Sequence, residues 1–245
     1  MSLLSEHIGP TTPHPMGVQM TLRSAWDVLS TIVVTTCAVI LLSLYLHDRA
    51  QGGNSEKHFS DWEDWSNSAI RMGAEKPPMV ISAFMDFSCP YCRRIVPMLD
   101  SVRTEYGENV AIEFHHFPLA NHKFAKPAAV AAECADQQGK FVEMYHGLYA
   151  KMDSLGVKPW TAFAEEAGLG DIRAFAECIQ RPAETFSRIA AGDSLGRAIG
   201  VIGTPTLWVN GTKLTERSMV FVRERAEDLG VRANQSYSST RVLRW

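Results

Sequence analysis

The chain has 245 residues and a formal net charge of −3. This length suits one domain of moderate size with attached segments. The nearly balanced charge gives no reason to expect nucleic acid as a partner, because proteins that bind it carry a marked excess of positive charge.

An apolar stretch near the N-terminus predicts a membrane anchor. Residues 1–24 are mostly polar, whereas residues 28–46 contain no charged side chain. As a helix, the second stretch would be about 28 Å long, close to the thickness of the hydrocarbon core of a bilayer. We therefore predict a cytoplasmic segment over 1–27 and a single-span signal anchor over 28–46.

A cleaved signal peptide is the alternative to an anchor. The apolar core of such a peptide is usually shorter, and small residues follow it. Here the sequence Leu-His-Asp-Arg follows at residues 46–49, without a cleavage motif. Cys37, inside the stretch, lacks the small neighbours expected of a lipidation site and is interpreted as an ordinary buried thiol.

Residues 47–78 are predicted to be a linker followed by a short helix. Glycine, asparagine and serine at residues 52–55 favour flexibility. Trp62, Trp65 and Ile70 then recur at a spacing that suggests a short helix packed on the following domain.

Two cysteines lie where a predicted strand turns into a predicted helix. Residues 79–87 are apolar enough for a buried strand, and residues 91–105 carry apolar side chains at helical spacing. Cys89 falls at the N-cap and Pro90 at the first helical position, where a missing N–H costs nothing. A thiolate at Cys89 would face free backbone N–H groups, so its pKa is expected well below the free value of about 8.5.

This arrangement predicts a redox-active dithiol. A pKa lowered by roughly two to four units stabilises the reduced form by about 3 to 5 kcal/mol, which makes the disulfide a better oxidant. We assign Cys89 as the nucleophile and Cys92 as the more buried, resolving cysteine.

The dithiol also predicts the location of the domain. Arg23 and Arg49 flank the apolar stretch on opposite sides, so basic residues do not decide its orientation. An oxidising dithiol is useful where disulfides persist, outside the cytoplasm. We therefore predict a single-pass protein of the inner membrane whose catalytic domain lies in the periplasm or an equivalent extracytoplasmic space.

Zinc binding and a structural disulfide are the alternative roles for Cys-x-x-Cys. Zinc needs two further ligands, usually a second pair of cysteines or histidines. Neither follows at a suitable distance. We predict no metal site and no cofactor beyond the redox-active disulfide itself.

A second strand and a long helical region follow. Apolar and polar residues alternate over 110–117, which predicts a strand. The two strands and the helix between them then make a βαβ unit, in which the strands are parallel. His115 and His116, near the end of this strand, are expected to be structural rather than proton relays. Residues 122–200 are helical in pattern with breaks at glycine and proline, which predicts an inserted helical subdomain.

The chain is then predicted to return to the sheet. Pro205 opens an apolar strand and is compatible with a cis peptide bond, which X-Pro bonds adopt in about 5% of cases. Residues 207–214 contain two short apolar runs around Asn-Gly, which predicts a β-hairpin with a type I′ turn. A final helix is predicted over 216–229.

With these motifs the chain resembles the DsbA-like thiol:disulfide oxidoreductases of bacterial envelopes. The likeness covers about residues 62–229 and rests on Phe-x-Asp-Phe-Ser-Cys-Pro-Tyr-Cys at 84–92, on the helical insertion and on Gly-Thr-Pro-Thr-Leu-Trp-Val-Asn-Gly at 203–211. More than a hundred residues separate Cys92 from Pro205, as the insertion of that family requires. Glutaredoxins are similar at Cys-Pro-Tyr-Cys but lack a comparable insertion and an anchor.

The resemblance implies an α/β thioredoxin fold with an inserted all-helical subdomain, preceded here by a transmembrane helix. The predicted organisation is a cytoplasmic segment at 1–27, an anchor at 28–46, a linker and short helix at 47–78, a thioredoxin-like domain at 79–121 and 201–229, an inserted helical subdomain at 122–200, and a C-terminal tail at 230–245.

The substrate loop and the partners also follow from the resemblance. It implies a cis bond between Thr204 and Pro205, held against the dithiol, so that the backbone of Thr204 would bind an extended substrate segment. Unfolded or cysteine-containing exported proteins would be the substrates. A quinone-linked membrane protein would reoxidise Cys89 and Cys92.

The chain departs from the family at two positions. Between the cysteines stand Pro90 and Tyr91, where the most oxidising members carry Pro-His, so we expect a milder oxidant than DsbA with its potential of about −120 mV. Thioredoxin-like proteins often bury an acid six residues before the first cysteine, but that position is Ala83 here. Asp86 lies at a different position, and the sequence gives it no role in proton transfer.

Cys134 and Cys178 remain, both on predicted helices of the insertion. Free thiols do not persist in an oxidising compartment, and some proteins that resemble this one carry a second disulfide in the same region. The resemblance therefore predicts a structural Cys134–Cys178 disulfide, with two unpaired thiols as the alternative.

Two other functions stay open. A threonine before the cis proline also resembles disulfide isomerases and reductases, including the reductases that act in cytochrome c maturation. An isomerase would be favoured by a dimerisation domain; none is predicted, and a monomer is expected. The second function is that of a non-enzymatic anchored chaperone that uses the same groove.

Overall fold

The computed structural model of the protein describes residues 22–51, 58–214 and 219–234, with side chains of the first of these stretches described only for 26–44. The chain divides into two units, Met1–Ser55 and Glu56–Trp245. Most of the predicted cytoplasmic segment, the flexible part of the predicted linker and most of the predicted tail lie outside the described residues.

The first unit contains one long helix, α1 (Leu22–Gln51). Its stretch Trp26–Leu44 is long and apolar enough to cross a membrane, which agrees in length and composition with the predicted anchor. Hydroxyl groups on this stretch bond to the helix backbone: Thr31 Oγ1 donates to the Asp27 carbonyl at 2.7 Å, and Thr36 Oγ1 donates to the Ile32 carbonyl at 2.6 Å. Such pairing is what polar side chains need in hydrocarbon.

The second unit is built on a five-stranded sheet. Its strands are β1 (Ile70–Gly73), β2 (Met79–Met85), β3 (Val110–His116), β4 (Thr206–Val209) and β5 (Thr212–Lys213). They lie in the order β1-β3-β2-β4-β5. β2 and β3 are parallel, and every other neighbouring pair is antiparallel.

Helices flank this sheet and fill the insertion. In chain order they are α2 (Pro90–Tyr106), α3 (Ala125–Asp136), α4 (Phe141–Ala150), α5 (Trp160–Glu166), α6 (Ile172–Cys178), α7 (Ser187–Ala198) and α8 (Met219–Asp228). The structure describes all of residues 122–200 and assigns no strand there. The predicted α/β fold with an inserted helical subdomain is therefore confirmed.

The predicted βαβ unit is the centre of the domain. All seven residues of β2 and all seven of β3 are buried, because the sheet is covered on both faces, as is usual for parallel strands. Helix α2 connects the two strands and buries Ile95, Leu99 and Val102. The apolar residues whose spacing predicted this unit are thus the residues that are buried in it.

The short helix predicted before the first strand needs a correction at Ile70. Residues Trp62–Ser68 form a 3₁₀ helix, but Ile70 begins β1 and pairs with Phe114 of β3. The sequence prediction was wrong at Ile70 because this strand is only four residues long and is held at the sheet edge by its partner. Nothing in its own residues distinguishes it from the end of a helix.

Buried polar groups attach the insertion to the sheet. His116 Nε2 lies 3.1 Å from Glu133 Oε1 of α3, and Arg188 of α7 binds both oxygens of the same carboxylate. A Cβ atom added to Gly192 would lie 2.6 Å from the His116 carbonyl oxygen, so α7 can cross here only because residue 192 is glycine. His116 thus has the structural role expected of it.

The hairpin near the end of the domain forms as predicted. Asn210 has φ +44° and Gly211 has φ +75°, the two positive values that a type I′ turn requires. The Asn210 side chain also accepts from the Val80 N–H at 2.7 Å and donates to the Pro78 carbonyl at 2.9 Å. The turn is therefore fastened to the start of β2.

Candidate active site

Cys89 and Cys92 occupy the first turn of α2. Cys89 is the N-cap, with extended dihedral angles of φ −88° and ψ 118°, and Pro90 follows in the first helical turn. The Cys89 N–H donates to the Asp86 carbonyl at 3.1 Å. Both cysteines are free thiols, and Cys89 is 2% exposed while Cys92 is fully buried. The predicted placement of the dithiol is confirmed.

The pKa of Cys89 is lowered from 9.0 to about 5. The largest cause is a hydrogen bond from the Cys92 side chain; burial opposes the shift, and the Thr204 side chain and the backbone N–H groups of Cys92 and Tyr91 reinforce it. The sequence predicted the direction but placed the backbone N–H groups first. In the folded chain, the neighbouring sulfur contributes more to this pKa than the helix terminus does.

The pKa of Cys92 is shifted in the opposite direction. Burial raises its pKa far above the ordinary value, and the hydrogen bond to Cys89 and the negative charge of the Cys89 thiolate raise it further. In the reduced protein one proton is therefore shared unequally, with Cys89 as thiolate and Cys92 as thiol. The assignment of Cys89 as the nucleophile and Cys92 as the resolving cysteine stays a prediction from the sequence.

The pH dependence of Cys89 follows from this shift. The rate of alkylation by iodoacetamide should rise with pH, reach half of its plateau near pH 5 and change little above pH 7. The Cys92→Ser variant should move this midpoint upward, because it replaces the group whose hydrogen bond contributes most. A Cys89→Ser variant measures the background from Cys37 and Cys92. A wild-type midpoint near 9 would contradict the lowered pKa.

The same shift makes the reduced protein more stable at high pH than at low pH. The pKa of Cys89 is lower in the folded chain than in the unfolded one, so the stabilisation is complete above about pH 9 and declines as the pH falls. It is lost below about pH 5.

The loop before β4 meets the dithiol. The Thr204–Pro205 peptide bond is cis, as the resemblance implied. As a thiol, Cys89 Sγ donates to the Thr204 carbonyl at 3.3 Å, a contact between residues 115 positions apart. The Thr204 side chain lowers the pKa of Cys89 as well. Thr204 therefore contacts the reactive sulfur and presents its backbone beside it.

Two large apolar side chains are exposed, one in the first turn of α2 and one on the loop before β4. Tyr91, between the cysteines, is 60% exposed, and Ile202, two residues before Thr204, is 97% exposed. The Arg94 guanidinium lies 5.4 Å from the centre of the Tyr91 ring. Both side chains are therefore accessible to another molecule.

Asp86, to which the sequence gave no role, and His122, which the sequence did not single out, lie next to the dithiol loop. The Asp86 N–H donates to Cys92 Sγ at 3.5 Å. The buried Asp86 carboxylate accepts from the N–H groups of Ser88 at 2.7 Å and Leu119 at 2.9 Å, and its Oδ2 lies 2.8 Å from His122 Nδ1. An aspartate two residues before a loop N–H is a recognisable turn signal, but the contact with His122 has none.

Tyr145 and Tyr149 of α4 complete the buried surroundings of Cys92. Their hydroxyl groups are buried and have no hydrogen-bond partner among the residues that the structure describes. Burial raises the pKa of both groups, and the negative charge that Cys92 can carry raises it further. Among the described residues, no group of three or more histidine, cysteine or acidic side chains is placed to hold a metal ion.

Fold and site together define a thiol:disulfide oxidoreductase of the thioredoxin fold. A family model described as thioredoxin matches residues 66–221. The chain belongs to the thioredoxin family. The resemblance noted from the motifs is confirmed.

Three solved structures illustrate the likeness in fold. BdbD from Bacillus subtilis has a TM-score of 0.59 at 18% identity, covering 66% of this chain and 93% of that one. A thioredoxin-like oxidoreductase from Silicibacter pomeroyi has a TM-score of 0.55 at 25% identity, covering 68% and 97%. The reduced disulfide bond oxidoreductase DsbG from Mycobacterium tuberculosis has a TM-score of 0.57 at 23% identity, covering 73% and 95%.

Relatives by sequence include the Na⁺/H⁺ antiporter NhaA 1 of Mycolicibacterium vanbaalenii. It is 34% identical over 143 residues, which make up 58% of this chain but only 23% of the antiporter. The chain thus matches less than a quarter of that relative's length, and the likeness concerns the shared segment alone.

Proposed function

We propose that the protein is a membrane-anchored, extracytoplasmic thiol:disulfide oxidoreductase that oxidises cysteines of exported proteins. The observation that carries this proposal is the thiol pair, with a Cys89 pKa near 5 beside a buried Cys92. A stabilised thiolate favours the reduced form of the pair, so its disulfide tends to accept electrons.

The exchange would proceed in two displacements. A substrate thiolate attacks Cys89 Sγ of the Cys89–Cys92 disulfide, the bond between the two sulfurs breaks, and Cys92 takes up a proton. A second thiolate of the substrate then attacks the substrate sulfur of the mixed disulfide, and Cys89 leaves as a thiolate. The substrate loses two electrons, which the pair of cysteines gains.

The cis-proline loop would position the substrate. The Thr204 carbonyl, 3.3 Å from Cys89 Sγ, offers an acceptor for a backbone N–H of an extended segment, a short form of strand addition. Tyr91, in the first turn of α2, and Ile202, on the loop before β4, would provide apolar contacts for the substrate. Such contacts suit unfolded chains because they require little sequence specificity.

The partners and the location belong to the same proposal. The apolar helix of the first unit supports attachment to the inner membrane by a single span, with the catalytic domain in the periplasm or an equivalent space. A quinone-linked membrane protein would return the dithiol to the disulfide, with no cofactor held by this chain. A monomer is proposed.

The alternative is a reductase or isomerase, favoured by the Thr204 side chain before the cis proline. The Cys89 pKa of about 5 lies between that of DsbA, about 3.5, and that of thioredoxin, about 7. This pKa is therefore compatible with a milder oxidant than DsbA. The reduction potential of the cysteine pair is the quantity that distinguishes an oxidase from a reductase.

The test is the reduction potential of the Cys89–Cys92 pair, measured by equilibration with glutathione buffers. We expect a value between about −120 mV and about −250 mV, on the oxidising side of that interval. A value near −250 mV or below would favour the reductase. An anchored chaperone without redox chemistry would instead keep its biological activity when both cysteines are replaced by serine.

A further inference from the structure

The two arginines that follow Cys92 differ in what they contact. Arg93 Nη1 donates to Asp153 Oδ2 at 2.9 Å, so its charge is paired with an acid of the insertion. The Arg94 side chain is exposed, and its guanidinium has no ion pair or hydrogen bond within the part of the chain that the structure describes. The helix does not compensate this charge either, because its N-terminal end is itself positive.

Helix α2 offers Arg94 an aromatic neighbour and no acidic one. Side chains three and four positions apart share a helix face, and for Arg94 these are Pro90, Tyr91, Pro97 and Met98. The guanidinium carbon lies 5.4 Å from the centre of the Tyr91 ring, which is a cation–π contact. This contact holds the charge in place but supplies no oxygen that could accept from its N–H groups.

The contact with Tyr91 also places the charge on the turn that carries the reactive sulfur. Side chains of a helix lean toward its N-terminus, and Arg94 reaches back to a ring that stands between the two cysteines in the chain. Cys89 is the N-cap of the same helix. The guanidinium therefore lies over the first turn of α2, and a substrate segment bonded to Cys89 begins at that turn.

The exposed Tyr91 ring and the Arg94 charge together suit an acidic side chain. Tyr91 is 60% exposed, so its ring is accessible to the apolar part of a substrate residue. A guanidinium presents a planar set of N–H donors that bind both oxygens of a carboxylate at once. Apolar contacts alone do not distinguish one unfolded chain from another, whereas a charge held beside them does.

We propose that Tyr91 and Arg94 select substrates in which an acidic residue lies close to the reacting cysteine. This inference rests on the proposed function and adds a substrate class to it. The substrate carboxylate accepts hydrogen bonds from the Arg94 guanidinium while the substrate thiolate attacks Cys89 Sγ. The positive charge also attracts an acidic segment before contact, so the preference affects the rate of the first displacement.

The oxidation of three peptides by the disulfide form of the protein measures this preference. Each peptide has two cysteines, and the peptides differ only in the residues beside the first cysteine, which are glutamate, glutamine or lysine. Acid quenching and mass spectrometry give the initial rates. The rate with the glutamate peptide is divided by the rate with the lysine peptide. Comparing this ratio between the wild type and Arg94→Ala cancels the effect of the flanking residues on the peptide thiols themselves.

We expect the ratio to be about 5-fold higher in the wild type than in Arg94→Ala at low salt, the upper range for an exposed ion pair. The difference should shrink in about 0.5 M salt, because salt screens exposed charges. Arg94→Glu should reverse the preference, so that its ratio falls below that of Arg94→Ala. Arg181→Ala is the matched control and should keep the wild-type ratio. Arg181 is exposed, lies 4.6 Å from the centre of the Phe186 ring and has no ion pair among the described residues.

Equal ratios in the wild type and Arg94→Ala would overturn the proposal. A difference that persists undiminished at high salt, or that Arg94→Glu does not reverse, would also overturn it, since such a difference indicates an effect on the shape of the site and not on its charge. Failure of the wild-type protein to oxidise any of the three peptides would contradict the proposed function, and this inference with it.

Discussion

Replacement of Cys92 by serine is expected to convert the protein into a trap for its substrates, whereas replacement of Cys89 by serine is expected to abolish exchange. Cys89 carries the thiolate, with a pKa near 5, and a serine hydroxyl at this position does not ionise at neutral pH. Without Cys92, a mixed disulfide at Cys89 has no internal thiol to resolve it, so the covalent complex should accumulate.

The trap identifies the substrates as well as the chemistry. The Cys92→Ser protein would be purified from the membranes of cells that produce it, and mass spectrometry would identify the proteins bound covalently to Cys89. Exported proteins with structural disulfides are the expected result, and recovery of apocytochromes would favour the reductase. The Cys89→Ser, Cys92→Ser double variant is the control for non-covalent capture. Absence of any covalent partner in the single variant would argue against a redox function.

Removal of the Cys134–Cys178 disulfide is expected to destabilise the domain strongly while leaving exchange measurable. The bond joins α3 to α6 across a sequence separation of 44 residues. A loop of that size gains about 4 kcal/mol from cross-linking in the chain-entropy model. For a domain of this size such a loss lowers the melting temperature by roughly 8 to 16 °C.

Thermal unfolding of the Cys134→Ala, Cys178→Ala double variant measures this effect, and the glutathione reaction of Cys89 measures exchange in the same preparation. Cys37→Ala is the matched control, since it removes a free thiol from α1 and should not change the unfolding of the second unit. Complete loss of exchange in the double variant would show that the second disulfide is more than structural.

The two cysteine pairs differ in what fixes their behaviour. Cys134 and Cys178 are bonded to each other with a Cα–Cα distance of 5.9 Å, inside the insertion. Cys89 and Cys92 lie at the junction of β2, α2 and the cis-proline loop, where a hydrogen bond between the sulfurs, and not the helix terminus alone, sets the Cys89 pKa. The change of the alkylation midpoint in Cys92→Ser therefore measures the contact between the two sulfurs.

Some of the site was predictable from the motifs only through the family. The pairing of Cys134 with Cys178 and the cis bond at Thr204–Pro205 were implied by the resemblance, and both are present in the structure. No spacing rule in the chain gives either of them. The contact of Cys89 with Thr204 spans 115 positions, and its partners are not recognisable from their immediate neighbours.

The sequence by itself determined the local elements of this protein: the apolar helix α1, the strand–helix junction that holds Cys89 at the N-cap, and the Asn210-Gly211 turn. Periodicity, a proline in the first helical turn and tolerance of positive φ are properties of a few consecutive residues, so they can be read along the chain.

Only the tertiary structure decided that Ile70 begins a strand, that the Cys92 thiol outweighs the helix terminus in ionising Cys89, and that Asp86 joins Cys92 to His122. Each of these depends on which distant groups the folded chain brings within hydrogen-bonding distance and on how completely it removes them from water. Burial and long-range pairing are properties of the packed domain, and no short stretch of sequence contains them.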